Sequence, residues 1–223
     1  MKSNLWVVPV LLSILMICAA AGLCAYNLRE GQQAGEKAET VAEALRRQIP
    51  EPDTADSPAP PVTAPPADDL YAHYETAQAE TQPPPEDIVI DGDAYCGILE
   101  IPVLGLELPV RNGWSYPALK QSPCCSSGSA ETNDMIIAAH NYPSHFGRIG
   151  SLNADDVIRF TDTRGTVHEY AVSFLEIIAG TDVTQMHSGQ SVDWDLTLYT
   201  CTLGGQSRVT VRAGRIEVSP TDL

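Results

Sequence analysis

Leu196-Thr197-Leu198-Tyr199-Thr200-Cys201-Thr202-Leu203-Gly204-Gly205-Gln206-Ser207-Arg208-Val209-Thr210-Val211 decides the fold. Apolar and β-branched residues alternate with others on both sides of a loop containing Gly204-Gly205, which reads as two antiparallel strands. With Cys201 opposite Arg208, Tyr199 faces Thr210 and Thr197 faces Arg212 on one side of the sheet. Thr200 with Val209, Leu198 with Val211 and Leu196 with Ala213 then form the other, buried side. A slip of one residue would bury Arg208 and Arg212 and expose the leucines, so the pattern selects this register and an open polar face.

That register puts a thiol a strand's width from a guanidinium. A thiol attacks a carbonyl as its thiolate, and a guanidinium stabilises the anion that forms. A base is expected at the end of residues 134–140, where the run Met135-Ile136-Ile137-Ala138-Ala139 reads as a buried strand delivering His140 to a loop. A Thr-Leu-X-Thr-Cys strand, an arginine opening the next strand, and a histidine closing an upstream apolar strand resemble the sortases. The resemblance runs from about residue 95 to residue 216, and Gly97 to Pro102 is similar to the strand that opens the sortase barrel. It implies a membrane-anchored cysteine transpeptidase of Gram-positive surfaces. Cys201 would be its nucleophile, His140 its general acid and base, and Arg208 the stabiliser of oxyanion and substrate. Thr200, Tyr199 and Asn141 are the expected substrate contacts. At reference pKa values of about 8.5 and about 6.5, an independent thiolate and imidazolium would coexist in roughly 1% of molecules.

Outward from the hairpin, strands are expected at 95–102 and 106–110, and in a second hairpin, 157–161 with 166–178, around Thr163-Arg164-Gly165. Ser115 is a helix cap ahead of Pro117. About eight strands and little helix predict a mostly β fold, a closed eight-stranded barrel with short helices.

Residues 5–26 form an apolar run of about 22 residues, long enough to cross a bilayer. Lys2 precedes the run, while Glu30 offsets Arg29, so a cytoplasmic N-terminus is expected, with a single pass and the barrel outside the cell. Residues 27–48 suit a solvated helix with a thin apolar stripe of Val41, Leu45 and Ile49. Residues 50–85 are rich in proline and acids and read as a disordered, extended stalk. The expected division is 1–28 cytoplasmic N-terminus and anchor, 29–87 acidic Pro-rich stalk, and 88–223 catalytic barrel. A net charge of -16 without a basic stripe argues against nucleic acid.

Cys18 and Cys24 fall in the apolar run and read as packing residues. With Cys201 set aside, Cys96, Cys124 and Cys125 allow one disulfide, Cys96 to Cys124 or to Cys125. Neither a CxxC pair nor a second histidine at ligand spacing accompanies Cys124-Cys125, so no metal and no cofactor are expected. His145 lies near His140 but in mid-loop, and ranks below it. Phe146-Gly147 matches a pair that follows the catalytic histidine in several sortases. His168 and His187 suit packing or surface roles, and His73 belongs to the stalk.

The resemblance further implies the partners: surface-protein or pilin substrates with a C-terminal motif of the Leu-Pro-X-Thr-Gly type, and an amine acceptor from a cell-wall precursor or a pilin lysine. The short loop to Arg208 is nearer the pilus-building class C or a class B-like group, although residues 174–195 are too few for the long helix of the haem-uptake class. Two other readings use the same residues differently: a membrane-tethered cysteine hydrolase, and a non-enzymatic surface-binding barrel.

Overall fold

The structure is a computed structural model describing residues 7–51, 84–186 and 194–216. Most of the Pro-rich segment, Lys2, His73 and His187 lie outside the described residues.

Nine strands form one sheet: β1 (Ile88–Ile90), β2 (Asp93–Ile101), β3 (Leu106–Asn112), β4 (Cys124–Ser127), β5 (Met135–Ala138), β6 (Val157–Asp162), β7 (Val167–Ala179), β8 (Leu196–Cys201) and β9 (Ser207–Arg215). Their order is β1-β2-β3-β4-β5-β8-β9-β7-β6, and β6 pairs back onto β2. Eight strands therefore close into a barrel and β1 flanks it. At the closing seam β2 meets both β3 and β6, with Gly97 opposite Val110 and Asp162. A Cβ on Gly97 would sit 2.2 Å from the Thr161 carbonyl oxygen and 2.7 Å from the Phe160 ring, so only glycine allows the seam to close.

Alternate residues of the strands fill the barrel. Leu99, Val110, Ile137, Phe160, Leu198 and Val211 are among those excluded from solvent. The pairings are antiparallel except β3–β4 and β5–β8. Residues 157–162 and 167–179 form the second hairpin, and Ser115 caps the short helix α2 (Tyr116–Leu119) by accepting a 3.2 Å hydrogen bond from the Ala118 amide.

The long helix α1 (Val7–Arg46) changes character halfway. Its first half exposes Leu11, Leu12, Leu15, Ile17 and Leu23, as a membrane-crossing segment would. Its second half buries Gly31, Ala34, Ala38, Ala42 and Leu45 against the barrel. Leu45 packs with Tyr95 and Ile98, joined by Val41 and Ile49. Residues 29–46, expected as the solvated start of a stalk, are thus a docked helix. The stripe of Val41, Leu45 and Ile49 read from the sequence is the part that packs on Tyr95 and Ile98, while the small side chains before it let the backbone approach closely and carry little periodicity.

Candidate active site

The β8–β9 ladder pairs Leu196 with Ala213, Thr197 with Arg212, Leu198 with Val211, Tyr199 with Thr210, Thr200 with Val209 and Cys201 with Arg208. Cys201 is exposed at the end of β8, and Arg208 opens β9 directly across from it. Arg208 Nη1 donates to the Gly205 carbonyl at 2.9 Å and the Ser207 carbonyl at 3.1 Å, which fixes the guanidinium against its own hairpin loop. A Cβ on Gly180 would lie 2.9 Å from Nη1, so the end of β7 also shapes this position.

Parallel pairing of β5 with β8 sets the third group. Ala138 pairs with Tyr199, the Ala139 amide donates to the Tyr199 carbonyl at 3.2 Å, and Thr200 Oγ1 donates to the Ala139 carbonyl at 2.9 Å. The residue after Ala139 is therefore carried to the level of the residue after Thr200. These are His140 and Cys201, and both line one cleft of about 1020 Å³. The 202–205 loop, residues 140–144, Lys120 and the α1 segment from Cys24 to Gln32 complete its walls. A second groove, about 730 Å³ between α1 and β1–β2, has no cysteine or histidine among its lining residues.

His140 is half-buried, its ring stacked on Tyr142 with centroids 4.1 Å apart and planes 16° from parallel. Burial holds its pKa below the ordinary imidazole value; the Lys120 charge adds to this and Glu30 opposes it. The loop that follows folds back on itself: the amides of His145 and Gly147 donate to the Tyr142 carbonyl at 2.9 and 2.8 Å, while Phe146 is fully buried. A Cβ on Gly147 would meet that carbonyl oxygen at 2.7 Å, which accounts for the Phe-Gly pair. His145 is completely enclosed, and burial pushes its pKa down to about 4, leaving it neutral and away from the cleft.

Of the expected substrate contacts, Asn141 lines the cleft. Thr200 does not: it is 3% exposed and its hydroxyl is bonded to the Ala139 carbonyl. Tyr199 packs on Ile136, Ile178 and Met186. Sequence reasoning also set Arg212 on an open polar face, whereas it is 0% exposed. Trp194 stacks over it and the Gln185 and Met186 carbonyls of the β7–β8 connection join Glu176 and Thr197 as its partners, so that face is open at Cys201 and closed at Arg212. The reading missed Glu30, Lys120 and Tyr142 as cleft residues, because their approach depends on the docked helix.

All six cysteines are free thiols, so the expected bridge is not formed. Cys96 donates to the Val110 carbonyl and Cys125 to the Ser127 and Gly128 carbonyls, each at 3.5 Å, whereas Cys124 turns to the Ser122 carbonyl at 3.6 Å. Glu131, Asp162 and His168 bring donor atoms within 4.8 Å of one another, but Arg164 already pairs with both carboxylates and Arg215 bonds His168. That cluster is an internal ion-pair network.

A family model for the sortase domain matches residues 99–216, more than half of the chain. Among solved structures, the chain is similar to the sortase D5 transpeptidase of Clostridium perfringens: 21% identity, 58% of this chain and 83% of that one, TM-score 0.50. It is also similar to sortase C1 of Streptococcus agalactiae: 23% identity, 59% of this chain and 72% of that one, TM-score 0.50. No curated protein matches by sequence.

Proposed function

The chain belongs to the sortase family of cysteine transpeptidases, and from this we propose that Cys201, His140 and Arg208 are its catalytic residues. The observation that supports this most is the parallel β5–β8 pairing, in which Thr200 bonds to Ala139 and so sets His140 beside the cysteine.

Cys201 as thiolate attacks the carbonyl of a peptide bond in the donor protein. The tetrahedral oxyanion is stabilised by the Arg208 guanidinium, whose Nη1 is engaged by the hairpin while Nε and Nη2 serve the reacting group. His140 as imidazolium gives its proton to the departing amine as the C–N bond breaks, leaving a thioester on Cys201. The neutral imidazole then takes a proton from an incoming amine. That nitrogen bonds to the acyl carbon, the C–S bond breaks, and Cys201 leaves as thiolate beside a re-formed imidazolium.

The donor is a surface protein or pilin carrying a C-terminal Leu-Pro-X-Thr-Gly-like motif, cut after the threonine. The acceptor is a cell-wall precursor amine or a pilin lysine. Asn141 and the fully exposed Leu203, both lining the cleft, offer polar and apolar contacts to the donor. We assign the chain to a pilus-type class: between β7 and β8 the described residues contain a helix of only one turn, Val183–Met186. In this proposal residues 1–28 anchor the protein with its N-terminus in the cytoplasm, 29–46 dock on the barrel, the segment up to 87 connects, and the catalytic barrel lies within 88–223 outside.

The deciding experiment incubates the enzyme with a library of candidate sorting pentapeptides, with and without added amines, and reads products by mass. New amides that require Cys201 are expected. Acid products alone at saturating amine would make the protein a hydrolase, and full biological activity of Cys201→Ala would make it a binding barrel.

A further inference from the structure

Both the start of the docked half of α1 and the end of its apolar run reach the catalytic cleft. Cys24, Leu28 and Gly31 line the cleft together with Cys201 and His140. The docking is tight: a Cβ on Gly31 would be 3.5 Å from the Tyr142 ring, and one on Gly35 would be 3.0 Å from the Ser144 Cβ. Ser144 Oγ donates to the Gly31 carbonyl at 2.8 Å. Glu30 accepts from Lys120 Nζ and from the Tyr142 hydroxyl, each at 3.2 Å, and from the Tyr26 hydroxyl at 3.4 Å.

Tyr142 therefore touches α1 at one end and His140 through its ring. His140 has little else to hold it, because its buried Nδ1 has no hydrogen-bond partner among the described residues. A general acid and base must keep its imidazole at a fixed angle to the thiol, a task usually met by a hydrogen bond to the far ring nitrogen. Here the stack on Tyr142 takes that place.

We propose that α1 is a wall of the catalytic cleft, and that Glu30 and Tyr142 are positioning residues that tie the docking of this helix to the orientation of the His140 imidazole. The inference rests on the assignment of His140 as acid and base. It adds that the membrane helix acts on the reaction as well as on location. The titratable groups around His140 are Glu30 from α1, Lys120 after α2, Tyr142 and His145 from its own loop, and Cys201 from β8. Glu30 favours the imidazolium and Lys120 disfavours it.

The full chain in detergent micelles tests this with steady-state pH profiles. Glu30→Gln removes the favourable charge and leaves that of Lys120, so the limb belonging to His140 moves to lower pH while kcat falls about 3- to 10-fold. Tyr142→Phe keeps the charge and the ring but loses the bond to Glu30, so kcat falls about threefold with the limb in place. Tyr142→Leu also loses the stack and lowers kcat about 30-fold with little change in KM. Profiles of Glu30→Gln and Tyr142→Leu that superimpose on the parent overturn the positioning role. Should His140→Ala stay active, the underlying assignment falls instead; an inactive His140→Ala beside an unaltered Glu30→Gln removes this inference alone. Independently of activity, a short bis-maleimide is expected to join Cys24 to Cys201 within one chain, and Cys24→Ser to abolish the product. Two separate adducts on the parent chain would show that α1 is not a wall of the cleft.

Discussion

The guanidinium carbon of Arg212 lies 4.5 Å from the centroid of the Trp194 ring, in a place no solvent reaches. Nε bonds Glu176 at 2.9 Å, Nη1 bonds Thr197 Oγ1 at 2.8 Å and the Met186 carbonyl at 2.9 Å, and Nη2 bonds the Gln185 carbonyl. One side chain thus gathers β7, β8 and the connection between them.

Removing it should be costly. Arg212→Ala leaves two carbonyls, a hydroxyl and the Glu176 carboxylate without their donor, and a loss of about 3 kcal/mol is expected in urea unfolding. Arg212→Lys keeps the charge but not the planar fork, and should lose about half as much. A loss below about 0.5 kcal/mol for Arg212→Ala would contradict the role given to these bonds.

His145 makes stability depend on acid. Its folded pKa of about 4 lies below the unfolded value, so the folded state keeps it neutral while the unfolded chain takes up a proton. Its contribution is complete above about pH 6.5 and is lost as pH falls toward 4, about 3 kcal/mol in all. His140 and His168, also lowered by burial, steepen the same window. Urea midpoints recorded from pH 7 to pH 4 should fall steeply for the parent and less for His145→Gln. Parallel curves would refute this account.

The reaction should show its acid limb below the ordinary imidazole value of about 6.5, because burial and Lys120 together outweigh Glu30 at His140. A profile of kcat/KM at constant ionic strength measures it. A midpoint at or above pH 7 would mean that the imidazole is not held in this environment.

Gly180→Ala brings a methyl group to 2.9 Å from both Arg208 Nη1 and the Gln206 carbonyl oxygen. The guanidinium or the hairpin loop must yield. A fall of about tenfold in kcat is expected, with the melting temperature changed by only a few degrees. Unchanged kcat would show that the Arg208 position tolerates displacement.

Leu45→Ala tests whether the second half of α1 belongs to the folded unit. Leu45 is 0% exposed against Tyr95 and Ile98, so the loss should be about 3 kcal/mol in thermal or urea unfolding. A residue in a mobile stalk would give no change.

What could be read beforehand was whatever a local pattern carries. The alternation of Leu196 to Val211 set the register that places Cys201 against Arg208, and the structure has those same six pairs. The apolar run before His140 became β5. What escaped depends on partners far along the chain. β4 is Cys-Cys-Ser-Ser, with no strand signature, and exists because Arg111 and Ala138 flank Cys124. The burial of Arg212 needs a covering segment from another part of the chain. Of the docked half of α1 and the turn after it, only the stripe of Val41, Leu45 and Ile49 was legible; the rest of the inner face is Gly31, Ala34, Ala38 and Ala42, where close approach replaces bulk.

Ring closure at Gly97 has a consequence for the timing of assembly. A chain folding from its amino terminus onward presents β2 with a bare edge until β6 has been made, and β5 with one until β8 arrives. The imidazole follows the end of β5 and the thiol ends β8, so they become neighbours only when nearly the whole polypeptide is in place. Unfinished copies carry the imidazole without the sulfur that follows it in the chain, so the pair proposed as thiol and base is complete only in a nearly finished barrel.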